Sequence, residues 1–147
     1  MTSAEDIRAW FKRERGIEAF TLQAFHVGWD GSNVIFPYDE GVKERPDPTQ
    51  PLGDKRRFYF TKGRLPGLFK SGGTKHLPPD GGTCYLVEGE TDTMRLAQEI
   101  DFEVPVYGLS GLNTWRPELA NELARYKRVN VVLDNERDYA AQNQVEA

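Results

Sequence analysis

The sequence predicts an α/β fold: a parallel sheet flanked by helices, preceded by a small basic α+β unit. Three observations carry that prediction. Two apolar, β-branched runs of strand length, residues 84–87 and 129–133, each end abruptly in carboxylates. Strand and helix patterns alternate between them, the order that builds parallel sheets through right-handed crossovers. Ahead of them the texture changes to short strand patterns, turn residues and basic residues interleaved with aromatics.

Taken in order, Ser3 with Asp6 three residues on reads as a helix start. Ile7, Trp10 and Phe11 follow with one-face spacing, and Gly16 is the expected stop. A second short helical piece spans residues 18–24, and the aromatics around His26 read as packing residues. Residues 1–30 thus form a helical opening segment. Residues 33–36 read as a strand, 37–41 as a turn and 42–45 as the returning strand. The Pro-rich stretch 46–51 reads as a loop. Lys55, Arg56 and Arg57 then lead into Phe58, Tyr59 and Phe60, with Lys62, Arg64 and Lys70 close behind. Such a stretch suits either a nucleic-acid backbone with rings for stacking or a solvated edge strand guarded by lysines. Residues 71–82, rich in Gly and Pro, read as a linker closing the basic unit of residues 31–82.

The second unit, residues 83–147, begins with the strand at 84–87 and a helix over 91–100 whose Met94, Ala97 and Ile100 share a face. A strand at 104–107, a loop at 108–113 and a helix over 117–126 with Leu119 and Leu123 inward follow. Pro117 suits a first helical turn. The third strand is 129–133.

Composition bounds the function. A chain of 147 residues, 38% hydrophobic and 29% charged, can bury a real core. No apolar run approaches a membrane span and no signal-peptide core is present, so the expectation is a cytoplasmic protein without a membrane partner. The lone Cys84 lies inside a buried strand pattern and is expected to be inert. Two histidines and one cysteine exclude a zinc ribbon or finger in this chain. The net charge of −4 means that a nucleic-acid role needs a local basic surface.

Carboxylates at the carboxyl ends of adjacent parallel strands meet at one sheet edge. Glu88 would project from one tip, and Asp134, Glu136 and Asp138 from another. Acids gathered this way repel unless a cation neutralises them, and the hard, oxygen-liking cations that fit are Mg²⁺ and Mn²⁺.

Val87, Glu88, Gly89 and Asp92, followed by an apolar strand ending in Asp134 and Glu136, resemble the TOPRIM domain, which bacterial-type primases, type IA and type II topoisomerases and several nucleases share. Gly108, Leu109, Ser110 and Gly111 between them strengthen the likeness. Upstream, Arg15, Gly16 and Ile17, then Thr21 and Leu22, then Phe25, Val27 and Gly28 are similar to the opening of the bacterial (DnaG-like) primase catalytic core. The 33–37 stretch with Asp39, Gly41 and Arg45, then Lys55, Arg56, Arg57 and Phe58, and Leu68, Phe69 and Lys70 resemble its later blocks, in phage and plasmid style.

The resemblance implies metal-dependent synthesis of short RNA primers on single-stranded DNA during replication, a nucleotidyltransfer from ribonucleoside triphosphates. Glu88, Asp134 and Glu136 would be the catalytic and metal-holding acids, with Glu88 at the metal or managing the proton of the nucleophile. Asp138 would be a further ligand or an ordinary exposed acid. Asp92 would support the site or simply be a first-turn acid, and Gly89 would let the backbone approach phosphate. Arg45, Lys55, Arg56, Arg57 and Lys70 would grip template or nucleotide phosphates. Three departures stand out: Glu136 replaces the usual Asp, Tyr139 stands where a glycine is usual, and the zinc module and later parts of the core are missing. They lead to the expectation of a divided or excised primase, acting with a second polypeptide or a helicase in a bacterial host cell if phage-encoded. The alternatives are a TOPRIM metal-dependent nuclease and a non-catalytic nucleic-acid- or partner-binding remnant.

Overall fold

The computed structural model describes residues 1–53, 57–74 and 82–133. Helix α1, Ala4–Arg15, starts as its sequence dictates. The Ser3 side chain accepts from the Asp6 amide at 3.1 Å, and Asp6 accepts from the Ser3 amide at 2.9 Å. Gly16 ends the helix at φ 67°, a left-handed turn that favours glycine. Ile7, Trp10 and Phe11 are the residues α1 buries. Helix α2, Ala19–Ala24, is a short second turn.

Four antiparallel strands follow in the order β1-β2-β3-β4: Gly28–Trp29, Asn33–Tyr38, Gly41–Pro46 and Tyr59–Phe60. The turn expected over 37–41 is tighter than anticipated. Pro37 pairs with Val42 and Tyr38 with Gly41, leaving only Asp39 and Glu40 as the loop.

The second sheet contains β5 (Leu68–Phe69), β6 (Thr83–Glu88), β7 (Val106–Leu109) and β8 (Arg128–Val132), in the order β5-β7-β6-β8. Strands β6, β7 and β8 are mutually parallel, with Val87 opposite both Gly108 and Val132. Helix α3, Glu90–Glu99, connects β6 to β7. Strand β7 begins two residues later than expected, because Pro105 has no amide to give the ladder; its carbonyl accepts from Tyr85. The single helix expected over 117–126 is instead a 3₁₀ turn, Pro117–Leu119, running into α4, Ala120–Leu123. Leu119 and Leu123 still point inward, as expected.

Strand β5 pairs antiparallel with β7 and stitches the basic unit to the second sheet. Phe69 is fully buried, stacked on Phe25 at 5.0 Å and edge-on to Phe36 at 6.0 Å. One core accordingly runs from Ile7 and Phe11 through Phe36 and Phe69 to Met94 and Val106. The stretch read as a linker is anchored where it is described: the Gly72 amide donates to the Ala24 carbonyl at 3.0 Å, and Thr74 is buried. Gln98 of α3 ties the opening helices down. Its amide donates to the Gly16 carbonyl at 2.8 Å, and its oxygen accepts from the Glu18 amide and the Thr21 hydroxyl. No helix among the described residues is long and apolar enough to cross a membrane.

Candidate active site

A cleft of about 420 Å³ opens between the two sheets, lined by Arg15, Arg45, Arg57 and Phe58 on the basic side and by Glu88, Gly89, Asp92 and Ser110 on the other. Its acidic wall follows from local structure. Glu88 is the last residue of β6, and Gly89 then turns the chain into α3 at φ 86°, ψ 149°. Such backbone is essentially restricted to glycine. The Gly89 amide donates to Leu109 at 2.7 Å, and Thr93 caps the Gly89 carbonyl at 2.6 Å. Asp92 then lies in the first turn of α3, exposed at the cleft. Gly108 belongs to β7 rather than to a loop. A Cβ there would meet Thr93 Oγ1 at 2.5 Å, so the glycine allows α3 to pack closely on the sheet.

The basic wall comes from strand register. Val34 pairs with Arg45 and Phe36 with Lys43, and cross-strand partners share a face. Val34 and Phe36 are buried, so both cations are turned toward the core side, where Glu90 of α3 and Ser110 meet Lys43 and the Trp10 and Phe58 rings meet Arg45. Arg57 and Phe58 follow from the segment leading into β4. Arg45 stands 4.9 Å from the Trp10 ring and 5.9 Å from Phe58, while Arg57 is 5.6 Å from Phe58 and Arg15 is 5.4 Å from Trp10. Burial, and then the like charges of Arg57 and Arg15, press the Arg45 pKa below its ordinary value. An anion in the cleft would relieve the second of these.

Two residues that sequence reasoning missed form the floor. Lys43 and Glu90 are 6% and 5% exposed, and the ammonium meets both carboxylate oxygens at 3.0 Å. Ser110 Oγ accepts from the same ammonium at 2.9 Å, and the Tyr38 hydroxyl donates to Glu90 Oε2. Burial first, and then the Glu90 charge, raise the Tyr38 hydroxyl far above its ordinary pKa, so it remains a donor. The signal for Lys43 lay in the hairpin. A two-residue turn at Asp39 and Glu40 forces Lys43 opposite Phe36 and places a lysine on a buried face.

The expected site residues divide into three groups. Glu88, Gly89, Asp92, Arg45 and Arg57 share the cleft. Lys70 stands apart beside Asp39 and Glu122, at 2.9 and 2.6 Å, and a separate hollow with Phe25 and His26. Burial disfavours the Lys70 charge, but Glu122 and Asp39 together outweigh it and hold the pKa above normal. Asp134, Glu136, Asp138, Lys55 and Arg56 lie outside the described residues. Among the described residues no group of three or more His, Cys, Asp or Glu is placed to hold a metal ion.

Comparison with protein-family profiles gives no match, and comparison with curated proteins gives none. Solved structures do match. The primase fragment of the bacteriophage T7 primase-helicase protein is 20% identical, with a TM-score of 0.65 over 91% of this chain and 57% of that one. The DnaG primase catalytic domain bound to ssDNA is 17% identical, with a TM-score of 0.61 over 99% of this chain and 59% of that one. A structure of the DnaG catalytic core is 15% identical, with a TM-score of 0.61 over 98% and 59%. The chain therefore spans less than two thirds of these three structures, and its α/β architecture is the TOPRIM-type fold of the primase catalytic core.

Proposed function

We propose that this chain is the catalytic core, or a part of it, of a DNA primase, which joins ribonucleotides into short RNA primers on single-stranded DNA. One observation carries the proposal: within this fold, a single cleft sets Arg15, Arg45 and Arg57 opposite Glu88 and Asp92. Primer synthesis needs both walls, one for the phosphates of template and nucleotide and one for a divalent cation.

The residues present fit Mg²⁺ or Mn²⁺. Mg²⁺ is bound by one or two carboxylates, with waters and substrate phosphates completing its shell, rather than by an all-protein cage. Glu88 and Asp92 are carboxylates in the same cleft. Val132 is paired with Val87, one residue short of Glu88, and Asp134 follows two residues later in the chain. Glu88, Asp134 and Glu136 would hold the ion, with Asp138 as a further acid. When bound, the cation acidifies an attacking hydroxyl and stabilises charge on phosphate.

The chain's own residues do the rest. Arg45 and Arg57 bind phosphate oxygens, with Arg15 reinforcing the field. Gly89 lets a phosphate approach backbone without meeting a Cβ, since nothing lies within 4 Å of that position. Glu90 and Ser110 pin Lys43 at the cleft floor, and this fixes the distance between the two walls.

The test is primer synthesis from labelled ribonucleotides on single-stranded DNA, by the chain alone and with its replicative helicase. The expected result is Mg²⁺-dependent product that Glu88→Gln abolishes while strand binding is retained. Calorimetry should show weakened Mg²⁺ binding in the same variant. Strand cleavage in place of synthesis, or a folded protein making no product in any combination, would overturn the assignment.

A further inference from the structure

We infer that Phe58 is a stacking platform for a nucleobase, the base of a template strand or of a nucleoside triphosphate, an assignment that rests on the primase reading and assigns the base a place in its cleft. Phe58 is 38% exposed. Among the exposed large apolar residues that are described, it alone lines the cleft holding Glu88 and Asp92. Phe20, Tyr59 and Leu65 are more exposed but do not line that cleft.

The surroundings of the ring argue for a base rather than another apolar group. The Lys43 ammonium lies 4.2 Å from the ring centroid and is itself buried, so it backs the inner face. Lys43 is held by Glu90 and Ser110, so it supports the ring instead of competing for phosphate. A cation behind an aromatic ring draws on its π density, leaving an outer face suited to electron-rich, polarisable rings. Arg45 and Arg57 stand 5.9 and 5.6 Å from the same centroid. A nucleotide carries its base and phosphate a single sugar apart, so one nucleotide can stack on the ring while its phosphate meets a guanidinium. An apolar partner would have to desolvate those guanidiniums without compensation.

Stacking is tolerant of sequence but scales with ring area, so purines should be favoured over pyrimidines. Losing one base–aromatic stack weakens binding by roughly tenfold. The experiment compares wild type, Phe58→Ala, Phe58→Leu and Phe58→Trp. Two ligand series are used: a single-stranded DNA oligomer with or without an abasic site walked along it, and ribonucleoside triphosphates. Phe58→Leu keeps apolar cover over Lys43 but removes the π face, and circular dichroism checks folding.

The expected result is that Phe58→Ala and Phe58→Leu each lose roughly tenfold in affinity for the base-bearing ligand. Neither should change affinity for the oligomer abasic at the contacted position, or the salt slope. Phe58→Trp should restore binding. If the loss appears with oligomers, the base is the template's; if with triphosphates, it is the nucleotide's. Equal affinities across the four proteins, or equal losses with base-bearing and abasic strands, would overturn the stacking role while leaving the primase reading intact. A wild-type protein that binds neither ligand would overturn both.

Discussion

The Lys43–Glu90 pair lends itself to a quantitative test because both charges are almost wholly removed from water. Replacing Lys43 by Met leaves Glu90 with the Tyr38 hydroxyl and only the more distant Arg45 as a countercharge. Replacing Glu90 by Gln leaves the ammonium facing an amide and the Ser110 oxygens. Breaking one side of a buried pair strands the other charge, at about 3–5 kcal/mol. With a urea m-value of about 2 kcal/mol/M, the unfolding midpoint should fall by roughly 1.5–2.5 M with m unchanged. The double variant Lys43→Met/Glu90→Gln should cost less than the sum of the two by about 2–3 kcal/mol, since neither position then carries a charge needing its partner. Urea titrations followed by tryptophan fluorescence and by circular dichroism provide the measurement. Single variants that each cost under about 1 kcal/mol, or a strictly additive double variant, would refute the claim that this pair sets the cleft floor.

Two further predictions concern neighbouring positions. Gly89→Ala should lower stability by about 1–3 kcal/mol through backbone strain alone, because a Cβ there meets no atom; an unchanged urea midpoint would contradict the strain. Burial pushes the Cys84 thiol up to about 11, so thiolate is scarce below that pH. Its labelling by a thiol reagent at pH 8 should therefore track unfolding, rising with urea across the transition; labelling of native protein at the rate of an exposed cysteine would contradict it.

Much of the fold was legible from the chain because its signals are local. Ser3 and Asp6 form the expected capping box and Gly16 the expected stop. The alternation of apolar runs with helical patterns gave the three parallel strands within one or two residues at most ends. Strand β5 was not legible as part of the second sheet, because two residues carry no periodicity and their pairing with β7 is set by tertiary packing. On the acidic side of the cleft, Glu88, Gly89 and Asp92 were legible because strand ends and first helical turns are local features. Lys43 and Glu90 were not, since composition places lysine and glutamate on surfaces and only their mutual pairing permits burial. Lys70 lay in a basic run, yet Asp39 and Glu122, distant in sequence, hold it away from the cleft.

The shared core has a consequence for synthesis on the ribosome. Helix α1 buries Ile7, Trp10 and Phe11 in a cluster whose other members include Phe69, Met94 and Val106. The side chain that fastens the opening helices, Gln98, is made some eighty residues after its partner Glu18. At roughly 5–20 residues per second, the apolar face of α1 waits about 4–16 s before the last of its cover has been translated. During that interval the opening helices have only the earlier members of that cluster, Leu22, Phe25, Val34 and Phe36, to join. The core around α1 is therefore begun by the first hairpin and closed only when Phe69, α3 and β7 emerge, so its last apolar cover arrives late in synthesis.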